Sequence, residues 1–187
     1  IRKMREPFHL VCGYGETGSA LVQALTWRGQ HAVVIDIDCE RINLLQMENL
    51  RQYVPGLCAD AAQPLHLLEA GLEHPLCAGV VALTNVNDVN LQVAITSKLL
   101  HKEVKVICRA DSREVEANMD SFGTDHIVDP FDTFATRLAT ALQAPSLYLL
   151  YQWLTGLMHE SLPEPLYPPK NGHWVLCGYG RFGKAIY

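Results

Sequence analysis

The stretch that decides the fold is residues 8–36, FHLVCGYGETGSALVQALTWRGQHAVVID. It starts as a short apolar run, passes through three glycines spaced G-x-G-x-x-G, and becomes a helical pattern that Gly29 closes. A second apolar run then ends in an acid, Asp36. Strand, glycine turn, helix, strand and acid in this order are typical of a nucleotide-binding βαβ unit.

The glycine turn predicts a phosphate-binding site at the start of the first helix. The first glycine turns the chain, the second lets the backbone approach a pyrophosphate, and the third lets helix and strand pack closely. The helix N-terminus adds free N–H groups and a positive dipole end. The residues of this candidate site are Gly13, Tyr14, Gly15, Glu16, Thr17 and Gly18.

Asp36 and its neighbour Ile37 predict the position of a ribose. A carboxylate at the end of the second strand accepts hydrogen bonds from both ribose hydroxyls of an adenosine. It also repels a 2′-phosphate, which favours NAD or another unphosphorylated adenosine ligand over NADP. An empty nucleotide-binding fold is the alternative.

The chain beyond Asp36 alternates apolar runs with helical patterns. Uninterrupted apolar runs indicate parallel strands that are covered on both faces. We expect an α/β fold, a doubly wound (Rossmann-like) parallel six-stranded sheet in the order 3-2-1-4-5-6, followed by crossover helices. The predicted strands are 8–12, 32–36, 54–58, 80–84, 104–108 and 126–128.

The sequence repeats its own beginning. VLCGYGRFGKA at 175–185 restates LVCGYGETGSA at 10–20, which predicts a second nucleotide-binding domain that starts near the end of this chain. We expect an N-terminal linker (1–7), a nucleotide-binding domain (8–143), a helix with a proline-rich linker (144–171) and the truncated start of a second domain (172–187).

Composition excludes several classes of protein. The 187 residues are 49% apolar and 19% charged, as expected for a well-packed soluble globule. The net charge of −5 argues against nucleic acid as a partner. No apolar run is long enough to span a membrane and no signal peptide is visible, but the chain does not begin with Met, so we treat it as a fragment.

Cysteine and histidine spacing predicts neither a metal site nor a disulfide. The eight histidines show no metal-ligand spacing, and the cysteines form no C-x-x-C pair. Small buried thiols in a reducing cytoplasm are the favoured interpretation, over a disulfide or a zinc site. The six cysteines are Cys12, Cys39, Cys58, Cys77, Cys108 and Cys177.

Over residues 8–142 the sequence resembles the RCK, or KTN (TrkA-N), domains that regulate potassium channels and potassium transporters. The resemblance rests on several motifs, which together are more specific than the glycine motif alone. They are CGYGxxG at 12–18, VIDID at 34–38, ADA at 59–61, VVALT at 80–84, NL at 90–91, ICRA at 107–110 and GTDHIVDP at 123–130.

This resemblance implies a regulatory domain at the cytoplasmic face of the cell membrane. Such a domain binds NAD(H) or another adenine nucleotide, such as AMP or ATP, and passes its occupancy to a potassium channel or transporter pore in the same chain or a separate subunit. The domains pair into homodimers or larger rings. No catalytic residue is implied.

The resemblance also assigns positions beyond the glycine turn and Asp36. It implies that five residues complete the site: Asp60 and Ala61 at the adenine, Thr84 and Asn85 at the far side of the ligand, and Arg109 at the mouth of the cleft. Judged by spacing alone, Asp60 has an equal alternative role as the cap of the next helix.

Glu16 departs from the family pattern. The family commonly has arginine at this position, and the repeat keeps it as Arg181. A carboxylate about 5 Å from a pyrophosphate costs on the order of 3 kcal/mol at an effective dielectric of 20, and under about 1 kcal/mol in water. A mononucleotide, a nucleoside or an empty site therefore competes with a dinucleotide as the expected state.

Two other functions stay open at this point. The first is the cofactor domain of an NAD-dependent oxidoreductase, which is disfavoured because none of the seven tyrosines has a lysine four residues later and a second cofactor domain follows. The second is a scaffold with a vestigial nucleotide pocket, which Glu16 motivates.

Overall fold

The computed structural model describes residues 4–155, 164–165, 167–168 and 175–187. The chain divides into two compact units, Ile1–Val128 and Asp129–Tyr187. No helix in the described part of the chain is both long enough and apolar enough to cross a membrane.

The first unit is built on one parallel sheet. Its strand order is β3-β2-β1-β4-β5-β6, and every described pairing is parallel, as the sequence predicts. The strands are β1 (Phe8–Cys12), β2 (His31–Asp36), β3 (Gly56–Cys58), β4 (Cys77–Ala82), β5 (Lys105–Arg109) and β6 (His126–Val128). The predicted fold class is confirmed.

Five helices connect these strands within the described residues. They are α1 (Glu16–Trp27), α2 (Cys39–Met47), α3 (Pro64–Glu69), α4 (Asn87–Leu100) and α5 (Arg113–Ser121). The sequence predicts α3 from Ala61, but the helix begins three residues later. The reason is local, since the Asp60 carboxylate accepts the Ala62 N–H at 2.9 Å in a separate turn, and Pro64 suits a first helical position.

Apolar side chains fill both faces of the sheet. In β1, Leu10 packs into one cluster with Ile35 and Val80, while Val11 packs into the opposite cluster with Val34. All five residues are buried. Because successive side chains of a strand point to opposite faces, a strand buried on both sides needs an uninterrupted apolar run.

The buried face of α1 differs from the predicted one. The sequence predicts an apolar face made of Ala20, Leu21, Ala24 and Leu25, and both alanines are exposed. Gly18 packs against the Gly13 carbonyl, so the side of the helix that carries Gly18 faces the sheet. The buried residues of α1 are Gly18, Val22 and Thr26.

The second unit contains three described helices, α6 (Pro130–Gln143), α7 (Pro145–Leu154) and α8 (Arg181–Ile186). Asp129 caps α6 by accepting the N–H of Phe131 at 2.7 Å, as its place before Pro130 predicts. The sequence predicts a second apolar stripe of Leu147, Leu150, Tyr151, Leu154 and Met158. The first four are exposed on α7, and Met158 lies outside the described residues. In the proline-rich part of the predicted linker, 162–169, only 164–165 and 167–168 are among the described residues.

Candidate functional site

The predicted site residues of the first unit lie at or just beyond the carboxyl ends of neighbouring strands. The chain leaves β1 towards β2 on one side, and β4 pairs with β1 on the other side. This reversal is the topological switch point, where open α/β sheets bind ligands. The glycine turn follows β1 directly and therefore lies at that point.

Two glycines of the turn are required by packing. Gly13 has a φ of 101°, and a Cβ atom there would lie 3.0 Å from the Thr84 backbone nitrogen. A Cβ atom on Gly18 would lie 2.0 Å from the Gly13 carbonyl oxygen. The turn, α1 and the residues after β4 thus approach one another too closely for any side chain at these positions.

Gly15 is different because its surroundings are open. A Cβ atom there would meet only Arg41 Nη1 within 4 Å among the described atoms, at 3.8 Å. Gly15 is the N-cap of α1, and the first N–H groups of a helix have no intrahelical partner. A ligand oxygen can therefore approach this backbone, as a phosphate site requires.

Asp36 is the buried anion of the site. Its side chain is only 4% exposed, and its two oxygens accept the N–H groups of Tyr14 at 2.5 Å and Asp38 at 2.8 Å. These bonds fix the carboxylate beside the glycine turn. Each carboxylate oxygen has two lone pairs, so both can still accept a ribose hydroxyl.

Arg41 is a site residue that the sequence analysis missed. It lies on α2, with Nη1 3.6 Å from the Asp36 carboxylate and Nε 3.4 Å from that of Asp38. Its side chain is 44% exposed, so the guanidinium also faces solvent. The available signal was its spacing, because a residue three positions after Asp38 on a helix returns to the same side. Arg41 brings a positive charge close to Gly15.

Asp60 and Ala61 follow β3, beside the end of β2 that carries Asp36. The Asp60 carboxylate is engaged by the Ala62 N–H, while its carbonyl oxygen lies 2.8 Å from His66 Nδ1. Ala61 is buried. Ile37 projects outward with 73% of its surface exposed.

A buried asparagine organises the other half of the site. Asn90 is fully buried on α4, and its Oδ1 accepts both the N–H and the hydroxyl of Thr84, at 3.0 and 2.8 Å. Its Nδ2 donates to the carbonyl oxygens of Thr84 and Arg109, both at 3.0 Å. Asn90 therefore ties the end of β4 to the end of β5. Asn90 belongs to the NL motif at 90–91, but that motif alone predicts no role for it.

Asn85 and Arg109 meet at the rim of the same edge. Arg109 Nη1 donates to Asn85 Oδ1 at 2.7 Å, and Asn87 donates to the Asp111 carboxylate beside them. Asn85 and Arg109, the two predicted contact residues, are therefore hydrogen-bonded to each other. Both side chains would have to give up this bond to bind the far side of a ligand.

Glu16 and Tyr14 have opposite environments within the turn. Glu16 begins α1 and is exposed, where its charge suits the helix dipole but opposes a phosphate. The Tyr14 side chain is buried, and burial raises its pKa to about 12. Tyr14 is therefore neutral at physiological pH and packs in the core while its backbone N–H serves Asp36.

The cysteine expectation is wrong for one pair. Cys39 and Cys58 form a disulfide, because the pairing of β2 with β3 brings distant parts of the sequence together. Cys12, Cys77 and Cys108 are free and buried, as expected, and burial raises the pKa of all three thiols. The last described cysteine, at position 177, is free and exposed.

A cavity of about 470 Å³ lies away from the predicted site, at the other end of α1. The Arg51 guanidinium covers the Trp27 ring there, 3.5 Å from its centroid. None of the predicted site residues lines this cavity.

The TrkA-N domain family matches residues 9–130 of the chain. This match covers well over half of the sequence and includes both halves of the site. The chain therefore belongs to the TrkA-N domain family, and the predicted family is confirmed.

One relative in sequence comes from Methanothermus fervidus and is described as an uncharacterized protein. It is 29% identical over 132 residues, which are 70% of this chain and 20% of the relative. The chain thus spans about a fifth of the length of this relative.

Three solved structures share the fold. The TrkA-N domain of the inner membrane protein ybaL from Escherichia coli has a TM-score of 0.66 at 20% identity, covering 73% of this chain and 96% of that one. The GsuK channel bound to NAD has a TM-score of 0.62 at 19% identity, with coverages of 80% and 25%. The Kef C-terminal domain from Shewanella denitrificans, in an AMP-bound form, has 0.59 at 15%, with coverages of 80% and 91%.

Proposed function

We propose that this chain is a nucleotide-sensing regulatory domain of a potassium channel or potassium transport system, and that it binds NAD(H) or another adenine nucleotide, such as AMP or ATP. The observation that carries the proposal is the buried Asp36 carboxylate, which two backbone N–H groups hold beside an open Gly15. A carboxylate fixed at this place recognises the two hydroxyls of an adenosine ribose.

The adenosine half of the cleft is the better prepared half. Asp36 is already oriented, and Arg41 supplies a positive charge near Gly15 that partly offsets Glu16. On the other side, Thr84 and Arg109 are engaged with Asn90 and Asn85. We therefore expect adenosine to provide most of the binding free energy, whichever group follows its phosphate.

Solved structures with the same fold support the proposed class of ligand. One channel is described as bound to NAD, and one transporter domain as AMP-bound. We propose the same class of ligand here, at the cytoplasmic face of the membrane. The domain would act on a pore in the same chain or in a separate subunit, and not as an enzyme.

Nucleotide binding would regulate ion flux by selecting between two arrangements of paired domains. A ligand shifts such an equilibrium only by its differential affinity for the two arrangements. Pairing is supported by the exposed apolar side chains of α6 and α7, which suit a homodimer or ring. They include Phe134, Leu147, Leu150, Tyr151, Trp153 and Leu154.

Calorimetric titration of the chain with AMP, ADP, ATP, NAD, NADH and NADP tests the proposal. We expect at least one unphosphorylated adenosine ligand to bind, and NADP to bind more weakly than NAD. Replacing Asp36 by Ala should remove about 1.5–3 kcal/mol of hydrogen bonding, which is a loss of roughly 10- to 150-fold in affinity. Asp36→Asn, which keeps the shape and one acceptor, should lose less.

The matched control is Asp120→Ala, which removes an exposed carboxylate from α5. It should leave the affinity unchanged. If Asp36→Ala binds nucleotide as tightly as the unaltered chain, Asp36 is not the ribose site. If none of the six nucleotides binds or raises the melting temperature, the vestigial scaffold becomes the better explanation.

A further inference from the structure

The disulfide between Cys39 and Cys58 joins two segments that flank the proposed adenosine site. Cys39 is the first residue of α2 and Cys58 is the last residue of β3, with their Cα atoms 5.0 Å apart. Both residues are exposed. The bridge therefore stands at the surface, where small thiols and disulfides can reach it.

One end of the bridge lies next to the turn that holds the Asp36 carboxylate, the group proposed to bind the ribose. Cys39 directly follows Asp38, whose N–H holds an oxygen of Asp36 at 2.8 Å. The Asp38 side chain in turn accepts the Glu40 N–H at 2.9 Å and caps α2. Any movement of the start of α2 therefore alters the support of the Asp36 carboxylate.

The other end belongs to the strand that leads to the predicted adenine residues. Cys58 pairs in register with Asp36, and the next residue, Ala59, donates its N–H to the Asp36 carbonyl oxygen at 3.0 Å. Asp60 and Ala61 follow at once. Among the described strands β3 pairs with β2 alone, so its outer backbone edge has no strand partner. The bridge therefore adds a covalent restraint to these bonds and to the packing of Leu57 and Ala59 against the core.

The two bridged cysteines differ from the buried ones in reactivity. Cys12, Cys77 and Cys108 are buried, and burial raises their pKa, which disfavours the reactive thiolate. Cys39 lies at the N-terminus of a nine-residue helix, where the positive dipole end favours a thiolate. Cys58 is close enough to resolve a mixed disulfide on Cys39.

We propose that Cys39 and Cys58 form a reversible dithiol–disulfide switch that sets the affinity of the adenosine half of the cleft. In oxidation, the Cys39 thiolate attacks one sulfur of a low-molecular-weight disulfide and releases one small thiol. The Cys58 thiolate then attacks the Cys39 sulfur of the mixed disulfide and releases the second small thiol. The protein loses two electrons and two protons, and the small disulfide gains both.

The direction of the effect follows from preorganisation. The bridge fixes the distance between the turn at 36–38 and the segment at 59–61, so the oxidised form should bind adenosine ligands more tightly. Reduction frees both segments, and binding must then order them again. By linkage, a bound nucleotide favours the disulfide by the same factor. This consequence rests on the proposed function, whereas the thiol chemistry does not.

The first experiment follows the thiols of the full chain in mixtures of oxidised and reduced glutathione, with alkylation and peptide mass mapping. We expect Cys39 and Cys58 to convert together into one disulfide that carries no glutathione, while the exposed Cys177 forms at most a mixed disulfide with glutathione. If Cys39 and Cys58 remain thiols in oxidised glutathione, or each keeps a separate glutathione adduct, the proposal is wrong.

The second experiment compares hydrogen exchange in the two redox states without nucleotide. We expect peptides covering 37–40 and 58–61 to exchange at least tenfold more slowly when oxidised. The variant carrying both Cys39→Ser and Cys58→Ser should resemble the reduced form in either buffer, and a peptide from α5 should be unaffected. Equal exchange in the two states would overturn the proposal.

The third experiment measures AMP affinity by calorimetry in both states, using the same double variant as the control. We expect AMP to bind three- to tenfold more weakly to the reduced chain. Equal AMP affinity in the two states overturns the switch but leaves the proposed function standing. If none of the six nucleotides binds to either state, the proposed function fails, and the effect of the disulfide on affinity fails with it even where the disulfide forms.

Discussion

The chain contains two copies of one glycine turn, at 13–18 and 178–183, and the two copies have nearly the same backbone. Gly13 has a φ of 101° and Gly178 a φ of 109°. The first helical residue follows the second glycine of the motif in both. The same short sequence therefore forms the same backbone turn in both places.

The third glycine repeats this agreement. A Cβ atom on Gly18 would lie 2.0 Å from the Gly13 carbonyl oxygen, and one on Gly183 would lie 2.2 Å from that of Gly178. In both copies the helix packs on the turn at a distance that only glycine allows. This contact is also local, because it joins residues five positions apart.

The surroundings of the two turns differ. A Cβ atom on Gly13 would press on the Thr84 backbone, whereas one on Gly178 would meet no described atom within 4 Å. Tyr14 is 5% exposed, but Tyr179 is 61% exposed. A turn can thus form from its own sequence, while the neighbours that make a turn into a site come from distant residues.

Substitution of the first glycine should separate the two turns most clearly. Gly13→Ala combines a positive φ with a backbone clash, and we expect it to lower the free energy of unfolding by about 3 kcal/mol. Gly178→Ala meets the φ penalty alone and should cost about 1–2 kcal/mol, confined to its own segment. Urea unfolding of both variants makes the comparison.

Equal losses in the two variants would contradict this reasoning. They would mean that backbone strain alone, and not the approach of Thr84, makes glycine necessary at position 13.

The second comparison concerns the charge after the second glycine. Glu16→Arg should raise NAD affinity by about 1–3 kcal/mol, because it removes a carboxylate from a phosphate site and adds a cation. The reciprocal Arg181→Glu change is the matched control and should leave NAD affinity unchanged. Calorimetry measures both.

A loss of NAD affinity in Arg181→Glu would transfer nucleotide binding to the second turn. No change in Glu16→Arg would mean that the ligand phosphate does not lie at the start of α1.

The smallest expected effect is on the stability of the sheet in the first unit, and it concerns Asp125. The Asp125 carboxylate accepts hydrogen bonds from Lys98 Nζ at 2.5 Å, Lys105 Nζ at 2.9 Å and the Val106 N–H at 2.8 Å. Partial burial opposes its ionisation, but these bonds outweigh burial and lower the Asp125 pKa. The stabilisation is therefore complete above the ordinary carboxyl pKa and is lost as pH falls below about 4.

Asp125→Asn should lower the free energy of unfolding at pH 7 by about 1–2 kcal/mol, after allowance for solvent screening. Its stability should also fall less steeply than that of the unaltered chain between roughly pH 4 and pH 2. Thermal unfolding across this range measures both effects. Parallel pH profiles of the two proteins would show that Asp125 does not couple to folding.

Local patterns in the sequence predict much of the first unit correctly. Apolar periodicity predicts the six strands, and the right-handed crossovers of a doubly wound sheet predict their order. In the second unit, the place of Asp129 before Pro130 predicts the cap of α6. The buried face of α1 was predicted incorrectly, because the contact between Gly18 and the Gly13 carbonyl, and not the pattern of alanines, orients that helix.

The site was predictable as a set of strand ends but not as a set of contacts. The role of Arg41 beside Asp36 depends on where α2 packs after its turn. The role of Asn90 depends on the pairing of β4 with β5. The bridge from Cys39 to Cys58 depends on the pairing of β2 with β3.

The sequence by itself determined the glycine turns, the parallel sheet and the place of the acid that follows β2, because short-range backbone geometry and apolar periodicity specify them. Only the tertiary structure decided which side chains surround Asp36, which cysteines join, and which of the two turns is packed against other strands. Those outcomes depend on contacts between residues far apart in sequence, and the spacing of residues along the chain does not specify such contacts.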